Sequence, residues 1–456
     1  MGYGFRVIYV PPLLLEEMGF GRVARFPFIM DERPGYHRLA NQFLIDRGLG
    51  IWNPQHRGKE DALLQPSTVS LKNFADWLAN FLEWCHCRAK DPLKADYKID
   101  LIQHYQGEMI KGIWSRDNIG LKPKTINARV AVATDYLTWA ADKGLREPFH
   151  TPKVIKTYVA NNPSSSVGHL AKSVEGRKGK VREEKRRLGF PDEREIAAWL
   201  DRLFDRSPTE GLIAETVLET AVRRAEVAAW RVDTLPLDPR EWRIANPDKP
   251  VEHQAVLVEI VFNTKGREYG QDHGDKIGPR GTIRVPMPLA LKLHDYREKV
   301  RSKALMIATR KAKTRTEAEK IRRESVHLFL NPRNGERYTG ASIYEFWRSV
   351  ERPRGWSPHL ARDFWACSVL WLHIQEHKAL LEYALKINVN ETILKTLQLQ
   401  AESCIQLTIQ PQLRHASQET TMIYLNWLSD RLGINMNFHQ NWVEQLSQEV
   451  DAEEKT

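Results

Sequence analysis

The sequence predicts a mainly α-helical protein with a small antiparallel β-sheet, in which an all-helical domain precedes an α+β domain. Between Leu71 and Cys85, apolar residues recur every three or four positions, as on the buried face of an amphipathic helix. Around 253–262 and 282–286 the residues are β-branched or alternate in polarity, which is typical of short antiparallel strands. Helical periodicity returns at Leu289 and dominates the rest of the chain. The small sheet is therefore expected among helices.

The all-helical domain is expected at 66–150. After the first amphipathic helix, a second helical pattern covers 99–110, and a third, near Ile126, again has its apolar residues largely on one side. Residues 1–65 are rich in Gly, Pro and Arg and contain only one possible short helix, at 36–46. This first segment is interpreted as an accessory N-terminal region.

A basic segment follows at 151–188. It holds ten Lys or Arg against three Asp or Glu, so its net charge is +7. Such a run predicts an exposed linker between domains, and it either contacts a polyanion or serves as a solvated tether. Together with one basic residue of the third helix, the residues expected to contact a nucleic-acid backbone are Lys124, Arg177, Lys178, Lys180, Arg182, Arg186 and Arg187.

Length and charge narrow the class of protein. The chain has 456 residues and a net charge of +10, which allows several domains and favours a polyanionic partner such as nucleic acid. The sequence contains no stretch of about 20 apolar residues and no signal-peptide pattern, so a cytoplasmic protein without a membrane span is expected. The α+β domain is expected at 189–430, and 431–456 is predicted to form a C-terminal helix and an acidic tail.

Four short motifs of the second half could carry chemistry. They are Thr220-Ala-Val-Arg-Arg-Ala-Glu226, Asn263-Thr-Lys-Gly266, His359-Leu-Ala-Arg362, and Leu413-Arg-His415 with Tyr424 nine residues after the histidine. Each motif alone is weak, because charged pairs at i, i+3 are usually a solvated helix surface. In this order and spacing, the set resembles the motifs of the tyrosine recombinases, or phage integrases. The helices at 66–150 resemble the core-binding domain of that family.

The resemblance implies an enzyme that cleaves and rejoins DNA through a 3′-phosphotyrosyl intermediate, with no metal or other cofactor. The catalytic domain would be 189–430. Arg223 and Arg362 would clamp the scissile phosphate, since a guanidinium offers phosphate oxygens a fixed and permanently charged fork. Tyr424 would be the nucleophile, and its phenol, with an ordinary pKa near 10, needs cationic neighbours and a proton acceptor.

The same resemblance assigns roles to the remaining motif residues. His359 is the candidate general base, in keeping with the titration range of imidazole. Lys265, on a hairpin, would protonate the leaving 5′-oxygen. His415 would donate a hydrogen bond to the phosphate. Glu226 is expected to orient the arginines and balance their charge from behind.

The chain departs from the family pattern in two ways. The residues expected at three positions are Gly, His and Gly, and the chain instead has Ala221, Asp363 and Arg414. The interval between Arg362 and His415 is also longer than in compact family members, which predicts an insertion at 376–410.

The resemblance further implies double-stranded DNA as the partner, a homotetramer on paired DNA sites, association with the nucleoid and an origin in a mobile genetic element. A helix at 434–446 would dock on a neighbouring subunit. Three alternatives stay open: a DNA-binding protein of the same fold that has lost catalysis, a relaxing topoisomerase, and a zinc metallopeptidase. The last rests on His373-Ile-Gln-Glu376-His377, which matches H-x-x-E-H.

Overall fold

A computed structural model describes most of the chain. The described residues are 4–31, 35–54, 65–159, 171–184, 186–266, 268–376, 399–414 and 422–432. The chain divides into two compact units, Met1–Lys185 and Arg186–Thr456. Among the described helices, none combines the length and the apolar character needed to cross a membrane.

The first unit is built mainly from helices. The α-helices are α1 (Pro12–Glu17), α2 (Arg38–Gly48), α3 (Thr68–Cys87), α4 (Gly107–Ile110) and α5 (Pro123–Asp142). A π-helical segment, Tyr97–Gln106, runs directly into α4. Ser67 caps the start of α3, where its hydroxyl accepts a hydrogen bond from the Ser70 amide, and α5 has Pro123 in its first turn. The helices predicted from the apolar periodicity are therefore present.

A buried aromatic cluster holds these helices together. Phe43 of α2 packs edge-on against Tyr136 and Trp139 of α5, with ring centroids 5.6 and 5.8 Å apart. The indole nitrogen of Trp139 donates to the buried carboxylate of Asp46 at 2.9 Å. The carboxylate is also paired with Lys143 at 3.0 Å, so the buried charge has both a hydrogen-bond donor and a counter-charge.

The all-helical domain expected at 66–150 is not confirmed as a separate domain. Residues 66–150 form helices and no strand, but they share one compact unit with strands that lie before and after them. Strand β1 (Arg6–Ile8) pairs antiparallel with β2 (Phe28–Met30). In the segment predicted to be a linker, β3 (Lys153–Val159) pairs antiparallel with β4 (Ala171–Arg177). The charge of 151–188 obscured the β-branched residues that make this pairing favourable.

The second unit is an α+β fold. Its α-helices are α6 (Glu193–Arg206), α7 (Pro208–Thr220), α8 (Arg224–Ala228), α9 (Met287–Tyr296), α10 (Ser302–Arg310), α11 (Arg315–Glu324), α12 (Gly340–Trp347), α13 (Pro358–Gln375), α14 (Gln410–Leu413) and α15 (Met422–Leu432). Residues 399–404 are helical and continue through a π-helical turn, Ile405–Ile409, into α14. Most of the predicted insertion lies outside the described residues.

A three-stranded antiparallel sheet lies among these helices, as predicted. Its strands are β5 (Ala255–Phe262), β6 (Gly270–Asp272) and β7 (Asp275–Pro286), in the order β5-β7-β6. Val256 pairs with Val285 and Val258 with Ile283, and all four side chains are buried in the core. The alternation places Glu259 on the exposed side of β5.

Candidate functional site

The first part of the site is the break between α7 and α8. Ala221 ends α7 in the left-handed conformation, with φ of 52°, and thereby turns the chain into α8. Both the backbone amide and the Nη1 of Arg223 then donate to Glu226, to Oε2 at 2.7 Å and to Oε1 at 2.8 Å. Glu226 is fully buried. The carboxylate therefore fixes the direction of the Arg223 side chain.

Arg362 approaches the same point from α13. Its guanidinium is buried and donates to the carbonyl oxygens of Ala221 and Leu413. The Nη2 of Arg223 also donates to the Leu413 oxygen, at 3.3 Å. Because both guanidiniums bond to one carbonyl, the two predicted phosphate-binding arginines lie side by side. Burial, followed by the positive charge of Arg223, lowers the pKa of Arg362 to about 9.

A third arginine, for which the sequence motifs indicate no role, completes this group. Arg414 follows α14, and its Nη2 donates to Oε2 of Glu226. The neighbouring Gln412 fixes α14 in place. Its amide donates to the carbonyl oxygens of Thr220 and Arg284, both at 2.9 Å, and accepts from the Arg284 amide at 2.8 Å. In the sequence, the only sign of this contact is that Arg414 stands where the family resemblance expects Gly.

The charges of this group do not balance. Arg223 and Arg414 donate to the one carboxylate of Glu226, and Arg362 shares a carbonyl acceptor with Arg223, so the three guanidiniums and one carboxylate carry an excess of two positive charges. Burial raises the pKa of Glu226, but the charges of Arg414 and Arg223 outweigh it and hold the pKa below its ordinary value. Buried charges require partners, and guanidiniums are suited to phosphate oxygens. This arrangement predicts an anion-binding site.

Tyr424 lies beside this site and is almost completely buried. It packs in an apolar cluster with Leu370 of α13 and with Leu413. Its hydroxyl donates to Oδ1 of Asp363 at 3.1 Å, and the Nη2 of Arg186 donates to the other carboxylate oxygen at 2.7 Å. Burial, followed by the negative charge of Asp363, raises the pKa of the phenol, so Tyr424 is protonated here.

His359 stands one helical turn before Asp363, in the first turn of α13. Its Nε2 lies 3.4 Å from Nη1 of Arg186. Burial and then the neighbouring arginine charges lower the pKa of His359, and Asp363 opposes this. The imidazole is thus neutral at neutral pH and able to accept a proton. The sequence motifs indicate no role for Asp363, the residue that accepts the hydrogen bond from Tyr424.

Lys265 is exposed on the turn between β5 and β6. The turn begins at Asn263, which has φ of 53° and donates to the carbonyl oxygen of Ala225 at 3.2 Å and to Asp275 at 2.9 Å. Since Ala225 belongs to α8, one hydrogen bond links the turn that carries Lys265 to the helix that follows Arg223.

The other predicted residues fall into three groups. Six of the side chains predicted to contact nucleic acid are exposed. They are those of Lys124, Lys178, Lys180, Arg182, Arg186 and Arg187. Arg177 is instead half-buried, and its Nη2 donates to Asn127 at 3.2 Å. His415, the predicted phosphate donor, and the predicted helix at 434–446 lie outside the described residues.

The zinc-peptidase pattern is only partly described. The Nδ1 of His373 lies 3.6 Å from the Glu376 carboxylate, and His377 is outside the described residues. Within the part of the chain that the structure describes, no three His, Cys, Asp or Glu side chains come together as one metal site.

Comparison with known proteins gives matches only at the level of structure. No protein-family model and no curated protein matches the sequence. The Tn1549 transposon integrase in complex with transposon right-end DNA matches with a TM-score of 0.44 and 12% identity, over 86% of this chain and 98% of that one. A λ integrase dimer bound to a COC′ core site matches with a TM-score of 0.41 and 10% identity, over 84% of this chain and 94% of that one. XerA recombinase matches with a TM-score of 0.28 and 14% identity, over 86% of this chain and 98% of that one. These three proteins are tyrosine recombinases, the family that the motifs of this chain resemble.

Proposed function

We propose that the protein is a DNA recombinase of the tyrosine type, which cleaves and rejoins DNA through a 3′-phosphotyrosyl intermediate. One observation carries the proposal. Arg223 and Arg362, which are far apart in sequence, donate hydrogen bonds to the same Leu413 oxygen. The Tyr424 hydroxyl is hydrogen-bonded to Asp363, the residue that follows Arg362. An anion site with uncompensated positive charge and a phenol beside it is what attack of tyrosine on a phosphodiester requires.

In the reaction, the Tyr424 oxygen forms a bond to the scissile phosphorus while the bond from phosphorus to the 5′-oxygen breaks. The phenol proton passes to His359, whose lowered pKa keeps it neutral and ready to accept. Lys265 gives a proton to the leaving 5′-oxygen. The guanidiniums of Arg223 and Arg362 stabilise the negative charge that develops on the nonbridging oxygens. The reverse sequence, with another 5′-hydroxyl, rejoins the strand without an external energy source.

Tyr424 must leave its hydrogen bond with Asp363 before it can attack. The phenol is buried and protonated in this state, and Arg186 holds the other oxygen of the carboxylate. Arg186 belongs to the basic segment expected to contact DNA. A DNA phosphate bound at Arg186 would compete with Asp363 for this guanidinium.

Several further properties are part of the proposal. Double-stranded DNA is the partner, consistent with the net charge of +10 and with the DNA present in two of the matched integrase structures. The active form is a homotetramer on paired DNA sites, acting for a mobile genetic element at the nucleoid in the cytoplasm. The proposed chemistry is complete with side chains alone and invokes no cofactor.

Covalent capture tests the function without knowledge of the target site. The protein is incubated with nicked, sheared genomic DNA, denatured in SDS, and assayed for DNA that remains attached. The wild-type chain is expected to form an SDS-stable adduct through a 3′-phosphate at Tyr424, and Tyr424→Phe to form none while still binding DNA. An adduct that persists in Tyr424→Phe would reject the assignment.

A second candidate function is sequence-specific DNA binding without catalysis. The burial of Tyr424 and its bond to Asp363 favour it, because both disfavour the phenolate. The same capture experiment separates the two functions. Saturable DNA binding with no adduct on any DNA, under conditions where the protein is folded, would establish the binding protein and reject the recombinase.

A further inference from the structure

Arg414 adopts a backbone conformation that is unfavourable for arginine. Its φ is 50° and its ψ is 51°, in the left-handed region at the end of α14, where glycine is the usual residue. A non-glycine residue in this region is strained, and such strain is kept where the surrounding structure or the function requires it. The conformation therefore suggests that the side chain of Arg414 is needed where it lies.

The neighbouring strand makes room for this side chain. Gly281 of β7 faces Arg414, and a Cβ atom at Gly281 would clash with the Cδ of Arg414. Glycine inside a strand weakens it, and often marks a place where another group approaches closely. Two positions far apart in sequence thus combine to place one guanidinium: an arginine where glycine is usual, and a glycine where a larger residue is usual.

The guanidinium itself is incompletely satisfied. Its Nη2 donates to Glu226, whereas its Nε and Nη1 are buried and have no hydrogen-bond partner among the described residues. Arg223 holds the other oxygen of the same carboxylate at 2.8 Å. Unpaired donors of a buried guanidinium are costly, and an anion bound next to Arg223 would satisfy them.

We propose that Arg414 is a third phosphate-binding guanidinium of the site, a catalytic residue that contacts a nonbridging oxygen of the scissile phosphate together with Arg223 and Arg362. This inference rests on the proposed function and adds a residue to it. The attacked phosphate gains negative charge in the transition state, and a site with two excess positive charges fits that species better than the starting diester.

Arg414→Gly is the first test, because glycine suits the backbone conformation. Glu226 keeps Arg223 as its partner in this variant, so the fold is expected to be kept. Inorganic phosphate serves as a probe that needs no DNA, and its binding is followed by the rise of the unfolding midpoint with phosphate concentration. We expect the affinity for phosphate to fall about 10- to 100-fold, as for the loss of charge-assisted hydrogen bonds. At saturating DNA, adduct formation should slow by a factor on the order of 10² to 10³.

A matched control removes another paired arginine of the same unit. Arg240 bonds Asp238 at 2.6 Å on the surface, and Arg240→Gly is expected to change neither phosphate affinity nor the rate. If Arg414→Gly behaves like this control, the inference is rejected. If the wild-type chain forms no adduct on any DNA, the proposed function fails, whereas the phosphate measurement still decides whether Arg414 binds the anion.

Two further variants distinguish direct contact from support of the fold. Gly281→Ala should weaken phosphate binding in the wild-type chain but have no further effect in Arg414→Gly, since it acts by displacing Arg414. Equal weakening in both backgrounds would overturn the inference. Arg414→Lys keeps a charge next to Glu226 but loses the planar fork, so it should retain stability and lose most of the phosphate affinity. Full recovery of affinity by lysine would also overturn the inference.

Discussion

The hydroxyl of Tyr424 donates a hydrogen bond to the Asp363 carboxylate at 3.1 Å, with both side chains buried. A carboxylate that accepts from a phenol favours the protonated phenol, and burial acts in the same direction. The proposed nucleophile is thus held in its least reactive form by the residue next to Arg362. A His at this position, as the family resemblance expects, would not impose the same negative charge.

Asp363→Asn is expected to lower the pKa of Tyr424. The substitution removes the negative charge but keeps the size and the acceptor oxygen, so only the contribution of the charge is lost, and that of burial stays. The chemical shift of the tyrosine ¹³Cζ atom, followed against pH, reports the ionisation. Tyr424→Phe identifies the signal. An unchanged titration of Tyr424 would show that Asp363 does not control the phenol.

Glu226→Gln is expected to destabilise the fold strongly. The fully buried carboxylate pairs with Arg223 and Arg414, and its removal leaves uncompensated charges in the interior. Loss of one partner of a buried ion pair costs about 3–5 kcal/mol of unfolding free energy. Urea denaturation measures it. The control Glu259→Gln breaks an exposed pair with Arg280, and should cost less than about 1 kcal/mol.

The contribution of Glu226 to the unfolding free energy should also depend on pH in a defined direction. Because its pKa is lowered in the folded state, the carboxylate contributes its full stability above the unfolded pKa of about 4.3. That contribution is lost as the pH falls through the lower, folded pKa. The difference in unfolding free energy between the wild-type chain and Glu226→Gln should therefore shrink below about pH 4. A constant difference across this range would contradict the assignment.

The sequence predicts part of this site because some of its contacts are local. Arg223 and Glu226 are three residues apart, and their pairing follows from the start of a helix. Arg414 and Asp363 acquire their roles only from tertiary contacts, with Glu226 and with Tyr424, that leave no periodic signal. In the same way, 151–188 is read as a linker from its charge, although two of its stretches pair as strands.

Lys265→Ala is expected to abolish cleavage of ordinary DNA but not of DNA with a bridging 5′-sulfur at the scissile position. A thiol, with a pKa of about 8.5, leaves as a thiolate without protonation, whereas an alkoxide does not. The lost general acid is then unnecessary. Rates of adduct formation on the two substrates measure the effect. Arg223→Ala serves as the comparison, because phosphate binding by this arginine is needed with either leaving group. An equal loss of cleavage rate on both substrates in Lys265→Ala would show that Lys265 is not the general acid.

The basic segment at 151–188 should control the salt dependence of DNA binding. Lys178, Lys180 and Arg182 are exposed, and each phosphate contact contributes about 0.9 to the slope of log K against log salt concentration. Replacing all three by Gln should reduce the magnitude of this slope by the contribution of about three phosphate contacts. Arg177→Gln should leave the slope unchanged but lower stability, since Arg177 is engaged with Asn127. A slope that is unaffected by the triple substitution would make the segment a tether without DNA contacts.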